Sequence, residues 1–237
     1  MYSKASEEYY FFAKSIEDDA IVLGEDEFHH ITKVLRLKKQ TEVTLTDGRG
    51  KSAIAEIQSI GKKHIEFDQI QIKKHTPGPY KLHMAIAPTK NINRFEWYLE
   101  KATEIGISEI TPLLCEHSER KHIRADRLEK IIVAACKQSK KVWKPVLNTV
   151  VDFNDFVAQS SPSGKYIAYL GAKVRHLKST LSGNEHVLLI GPEGGFSENE
   201  YRKATAHGFT GVSLGVNRLR TETAGVVGTQ IIAMHYD

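Results

Sequence analysis

Four residues, Thr76-Pro77-Gly78-Pro79, separate two stretches of this chain that follow different hydrophobic periods. Such a run cannot sit inside a helix or a central strand, so it reads as a domain linker. Before it the period is two. Val43 and Leu45 alternate with polar residues up to the turn Asp47-Gly48-Arg49-Gly50, and Ala53, Ala55 and Ile57 resume the alternation. Gly61-Lys62-Lys63 turns the chain again, and Ile65, Phe67, Ile70 and Ile72 follow. Short alternating strands with glycine turns predict a small β-barrel over residues 1–76. One helix is expected near 28–36, with Ile31, Val34 and Leu35 on one face and His30 and Lys33 on the other.

After the linker, strand and helix periods alternate over residues 80–237. Leu82, Met84 and Ile86 read as a strand, and Phe95, Tyr98, Leu99, Ala102 and Ile105 as a helix ending at Gly106. Ile110–Leu114 is a further predicted strand. Asp126 with Glu129 resembles a capping box for a helix through Ala135, and Ser197 with Glu200 one for a helix that stops at Gly208. Strands are predicted at 166–170, 187–190 and 212–214, and a last helix at 223–234. This order argues an α/β domain with a mainly parallel sheet.

The 237 residues suffice for two such domains without disulfides. Cys115 and Cys136 form no CxxC pair, which excludes a disulfide scaffold and a zinc ribbon and fits a reducing compartment. No apolar run approaches the ~18 residues of a membrane span, and MYSKASEEYYFF lacks the basic start and apolar core of a signal peptide. The net charge of +4 is concentrated in the middle third. His117–Pro145 carries nine Lys or Arg, among them Arg120, Lys137, Lys140 and Lys141, against three acids. A second run holds Lys33, Arg36, Lys38 and Lys39 with no acid. Either run alone suits a solvated helix face. Two of them, one carrying Trp143, suit an extended polyanion such as nucleic acid.

Common catalytic motifs are absent. Gly50-Lys51-Ser52 has Leu45 where a P-loop needs glycine, and no HExxH, GxSxG or EF-hand pattern occurs. His29-His30 has no second ligand pair at metal spacing, so no metal is expected. What remains is two glycine-bearing loops, each directly after a predicted strand: Ile190-Gly191-Pro192-Glu193-Gly194-Gly195-Phe196, and Leu214-Gly215 through Leu219-Arg220-Thr221-Glu222-Thr223-Ala224. In open α/β sheets, ligands bind at this end of the strands. The first loop is not GxGxxG, yet its glycines permit close backbone approach to a flat ligand. The second could equally be an ordinary helix start capped by Thr221 or Thr223.

Together the two loops resemble the signature of the RsmE family, SPOUT-class methyltransferases acting on N3 of a uridine in 16S ribosomal RNA. The resemblance extends through Lys90, Arg94-Phe95-Glu96-Trp97, Lys101-Ala102-Thr103-Glu104-Ile105-Gly106, Ser118-Glu119-Arg120 and Gln138-Ser139. It also takes in His29-His30 and Val34-Leu35-Arg36 of a PUA-like barrel, and so covers essentially the whole chain. One departure is Lys137, where many family members carry an acid; it makes the RNA-facing surface more basic.

The resemblance implies a SPOUT domain with a C-terminal trefoil knot, S-adenosyl-L-methionine as cofactor, a homodimer, and a cytoplasmic enzyme working on 16S ribosomal RNA or the small ribosomal subunit. It implies cofactor contacts from Leu170, Gly171, Ile190, Gly191, Pro192, Glu193, Gly194, Gly195, Leu214, Gly215, Leu219, Thr221, Thr223 and Ala224. Lys33, Arg36, Arg94, Arg120, Lys137, Lys140 and Lys141 are the expected RNA contacts. Arg220 is the expected donor to the developing uridine anion, with Glu222 either orienting it or accepting the N3 proton. A non-enzymatic RNA-binding or ribosome-assembly protein and a SPOUT enzyme acting on transfer RNA are the alternatives. The intact glycines 191, 194, 195 and 215 argue against a decayed pocket.

Overall fold

The computed structural model describes residues 9–17, 20–171 and 174–237. The first eight residues, part of the stretch read for a signal peptide, lie outside these. The chain forms two compact units: residues up to Pro77 together with Cys136–Lys144, and Gly78–Ala135 together with Pro145–Asp237.

In the first unit the alternating apolar residues face one core. Strands β1 (Tyr10–Ile16) and β2 (Ile21–Leu23) precede a short helix α1 (Glu25–His29), then come β3 (Glu42–Thr46), β4 (Lys51–Ile60) and β5 (Ile65–Lys74). The sheet order is β2-β1-β3-β4-β5. Phe11, Ile31, Val43, Leu45, Ala53, Ala55, Ile57 and Ile65 fill its interior. The skipped beat between Phe67 and Ile70 is a bulge. Register shifts opposite Asp68–Gln71, Gln69 takes φ +52°, and Ile70 and Ile72 turn back onto the core. The expected helix at 28–36 differs: α1 starts at Glu25, and the chain widens into a π turn over His30–Val34. The turn leaves Val34 and Leu35 exposed. Arg36 ends it at φ +52°, which stops helical propagation.

Cys136–Lys144 is pinned to this unit by backbone bonds. Gly50 N–H donates to Val142 O (2.9 Å), Lys144 N–H donates to Gly48 O (2.9 Å), and Arg49 bridges Trp143. The Trp143 ring covers Gly50, where any side chain would collide with it.

The second unit is built on parallel strands. Its elements are β6 (Lys81–Ile86), α2 (Ile92–Ile105), β7 (Glu109–Leu114), α3 (Ala125–Gln138, leaving the unit at its last turn), β8 (Val146–Leu147), β9 (Val151–Asp152) and α4 (Phe153–Gln159). They continue as β10 (Gly164–Ala168), β11 (Arg175–His176), β12 (Glu185–Ile190), α5 (Glu198–Ala206), β13 (Thr210–Ser213) and α6 (Thr221–Ala233). The order β11-β13-β10-β12-β6-β7-β8 is parallel throughout, with β9 also on β7. Central β12 and β6 read as near-continuous apolar runs because both faces are covered. The Ser197–Glu200 capping box opens α5 with both reciprocal bonds formed. Asp126, by contrast, lies inside α3, its carboxylate on Arg124 (2.9 Å). Ala168 and Arg175 flank Val212 on either side. The segments that follow β10, β12 and β13, residues 169–171, 191–197 and 214–220, lie together at one end of the sheet.

Candidate active site

These three loops enclose a cavity of ≈ 310 Å³. Of the residues expected to contact a cofactor, Leu170, Gly171, Ile190, Gly191, Pro192, Gly194, Gly195, Leu214, Gly215, Leu219, Thr221 and Ala224 line it. Glu193 and Thr223 do not. Ala168, Tyr169, Phe196, Val212, Asn217 and Arg218 line it as well and were missed from sequence. Tyr169 adjoins the expected Leu170, and Arg218 stands inside the second loop, so position alone could have found both.

The glycines explain how the wall is built. Gly195 has φ +76° and Gly215 φ +147°, and among the described residues, their own chain neighbours aside, no heavy atom lies within 4 Å of where either Cβ would sit. The backbone there is bare and faces open space, the cradle that a flat ligand requires. Gly194 is small for another reason: a Cβ would stand 3.0 Å from Cβ of His117. His117 Nδ1 also bonds Gly195 O at 3.0 Å, fixing the turn from the β7–α3 loop. No sequence pattern joins residues 117 and 195. The two glycine-bearing loops are tied directly, Thr221 Oγ1 donating to Gly191 O at 3.0 Å. Ala87 N–H donates to Ile190 O and extends the β6–β12 ladder to the cavity edge.

A second cavity of ≈ 240 Å³ shares Pro192, Arg218, Leu219 and Thr221 with the first and adds Glu193 and Arg220. Glu193 Oε1 accepts Lys90 N–H (2.9 Å), and Arg218 donates to Glu193 O (3.4 Å). Arg220 is exposed, and its guanidinium makes no hydrogen bond or ion pair among the described residues. Glu222 is not its partner. Only 7% exposed, Glu222 faces Arg94, with Nε to Oε1 at 3.7 Å, while its Oε2 is buried without a hydrogen bond among the described residues. Beneath it α6 meets α2, and the Tyr98 ring fills the space a side chain on Gly225 would need. Burial raises the Tyr98 phenol strongly, so it stays protonated.

The expected RNA contacts divide by environment. Lys33, Arg36 and Lys140 are exposed. Arg94 keeps 40% of its side chain open beside its ion pair. Arg120 is a brace, donating to Thr89 O (3.0 Å) and Lys90 O (2.6 Å), beside the Lys90–Glu119 pair at 2.7 Å. Lys137 is committed to Glu27, with both carboxylate oxygens at 2.8–2.9 Å, and lies over the Phe11 ring. Lys141 is half-buried, its carbonyl accepting Tyr10 O–H. Among the described residues no group of three His, Cys, Asp or Glu could hold a metal, and no helix is long and apolar enough to cross a membrane.

Comparison with known proteins places this geometry. Residues 76–233 match the family described as RNA methyltransferase domain, and residues 23–70 the RNA methyltransferase PUA domain. The chain belongs to the RsmE family of SPOUT-class RNA methyltransferases. It is 27% identical over 225 residues to Ribosomal RNA small subunit methyltransferase E of Rickettsia conorii, covering 92% of this chain and 91% of that one. A probable rRNA-methyltransferase from Porphyromonas gingivalis superposes with TM-score 0.88 at 38% identity, over 96% of this chain and 98% of that chain. A Legionella pneumophila putative methyltransferase, solved with bound SAM, gives TM-score 0.83 at 28% identity over 94% and 95%. The RsmE family's two parts are thus both present: an α/β SPOUT-like fold and a PUA-like region before it.

Proposed function

We propose that the chain transfers the methyl group of S-adenosyl-L-methionine to N3 of a uridine in 16S ribosomal RNA. The observation that carries this reading is the pair of adjoining cavities. One is walled by bare glycine backbone, and the other presents Arg220 with its guanidinium free. Relatives solved with S-adenosylmethionine support it as the cofactor, and the bare glycine backbone supports the first cavity as its seat. Curated relatives named for the small-subunit ribosomal RNA support the substrate. Gly191, Gly194, Gly195, Leu214, Gly215 and Leu219 would hold the cofactor, which when bound supplies a methyl group activated by a sulfonium.

The chain's own residues do the rest. Loops 169–171, 191–196 and 214–219 exclude water and orient the two reactants, the main catalytic term for a direct displacement. Uridine N3 is a poor nucleophile until its proton leaves, and the charge then spreads onto the base oxygens. Arg220 donates hydrogen bonds to that charge from the fixed fork of its guanidinium. Arg94 binds a phosphate, and Glu222 positions Arg94 in place of the role toward Arg220 expected from sequence. Lys33, Arg36 and Lys140 supply sequence-independent RNA contacts. Leu170, 71% exposed, and Val216, fully exposed, flank the cofactor cavity, which supports a homodimer that covers this apolar rim. The enzyme works in the cytoplasm, where its ribosomal substrate is.

Calorimetric titration with S-adenosylmethionine tests the reading, followed by methyl transfer to small ribosomal subunits and to transfer RNA. Binding with transfer to the subunit is expected. Absence of binding, or transfer to transfer RNA alone, would overturn it.

A further inference from the structure

We propose that the smaller cavity is the seat of the target base, and that Glu193, with Arg218 and Arg220, reads the imide edge of uracil. This inference rests on the methyltransferase reading above. The cavity holds on the order of eight waters at roughly 30 Å³ each, the scale of one pyrimidine ring. Pro192 and Leu219 offer apolar walls for the ring faces. Four of its lining residues also line the cofactor cavity, so a base seated here abuts the donor.

The polar groups match one base edge. Uracil presents an acceptor, a donor and an acceptor along O2, N3–H and O4. The cavity presents two guanidinium donors, Arg218 and Arg220, and one carboxylate, Glu193. Arg220 has no partner of its own among the described residues, and Arg218 has only the long bond to Glu193 O. Glu193 is anchored by one oxygen, Oε1, on Lys90 N–H, while Oε2 accepts no hydrogen bond among the described residues. A carboxylate fixed at one oxygen and open at the other is an acceptor in a defined position. It lines this cavity, whereas Glu222 lines neither. Glu193 therefore accepts the N3–H hydrogen bond. When the N3–H bond breaks, the proton passes to Oε2 and the electron pair stays on N3, its charge spread onto oxygens that the two arginines face.

Cytosine fails this test. Its N3 carries a lone pair that would oppose the carboxylate, and its amino group would meet a guanidinium. Glu193 is thus a specificity-determining residue as well as a catalytic one. Glu193→Gln isolates the effect: the amide oxygen can keep the Lys90 N–H bond, while the amide nitrogen replaces the open acceptor with a donor.

The test uses the full chain saturated with S-adenosylhomocysteine. Two short single-stranded RNA probes, differing only in a central uridine or cytidine, are titrated by fluorescence anisotropy at raised salt. The parent should prefer uridine roughly tenfold or more. Glu193→Gln should lose or invert that preference while its calorimetric affinity for S-adenosylmethionine and its melting temperature stay near the parent's. A parent without preference, or a folded, cofactor-binding Glu193→Gln variant that still prefers uridine, would overturn the assignment. A parent that fails to bind S-adenosylmethionine would instead overturn the methyltransferase reading beneath it.

Discussion

Replacing Gly195 by alanine separates backbone strain from ligand space. At φ +76° an L-residue sits in the left-handed region, which costs about 1–2 kcal/mol. Among the described residues nothing beyond its chain neighbours lies within 4 Å of the new methyl group, so no clash adds to that figure. At ~2–4 °C per kcal/mol for a domain of this size, the melting temperature should fall by about 2–8 °C. On the proposed placement of the cofactor, the methyl group then projects where it needs bare backbone. Overfilling a fitted site costs about 1–3 kcal/mol, so the dissociation constant for S-adenosylmethionine should rise roughly five- to hundredfold. Gly208→Ala is the control. Gly208 has φ +86° and, among the described residues, also nothing beyond its chain neighbours within 4 Å, but it turns the chain between α5 and β13 and lines neither cavity. It should show the same thermal loss with unchanged affinity. Differential scanning calorimetry and isothermal titration read the two quantities. Equal cofactor affinity in the Gly195→Ala protein, with the thermal loss present, would refute the placement of the cofactor against this turn.

Arg220→Ala should lower the methyl-transfer rate about a hundredfold, the loss of one donor to developing charge, with no change in melting temperature; a large thermal loss would mean that Arg220 is structural. Lys137→Ala should destabilise the protein by roughly 1.5–3 kcal/mol in denaturant titration, because it strips Glu27 of its charged partner. Lys140→Ala should leave stability alone and reduce the salt slope of RNA binding by about one. Gly225→Ala should cost about 1–3 kcal/mol by chemical denaturation, since its Cβ would stand 2.6 Å from the Tyr98 ring and 2.9 Å from Ile86. Burial holds both His83 and His186 below the ordinary histidine range, so the unfolded chain binds more protons than the folded one. Their contribution to stability should be complete above about pH 6.5 and decline as pH falls below it, which thermal melts across that range would show.

Local patterns made much of this protein readable. The apolar spacing from Phe95 to Ile105 lies within the observed α2, and Ser197 with Glu200 forms the capping box that the sequence announced. The two glycine-bearing loops stood out because each directly follows a strand and carries glycines where the chain turns toward the next helix. What escaped was set by pairs far apart in sequence. Lys137 looked like one more cation in a basic run, but Glu27, 110 residues earlier, neutralises it. His117 carried no signal of its contact with Gly194 and Gly195. Glu222 stood two residues from Arg220, yet at the start of a helix neighbouring side chains diverge, and its charge meets Arg94 on α2 instead. The bulge at Gln69 and the π turn at His30–Val34 shift local periods by a residue, which an alternation count alone does not resolve.

Mass-spectrometric analysis of nucleosides from small ribosomal subunits, incubated with the protein and isotopically labelled S-adenosylmethionine, addresses the central claim directly. Label is expected in a single product that co-migrates with 3-methyluridine, absent when transfer RNA replaces the subunit and reduced about a hundredfold by Arg220→Ala. Label on a ribose, on another base or in transfer RNA, or no label from a protein that binds the cofactor, would contradict it.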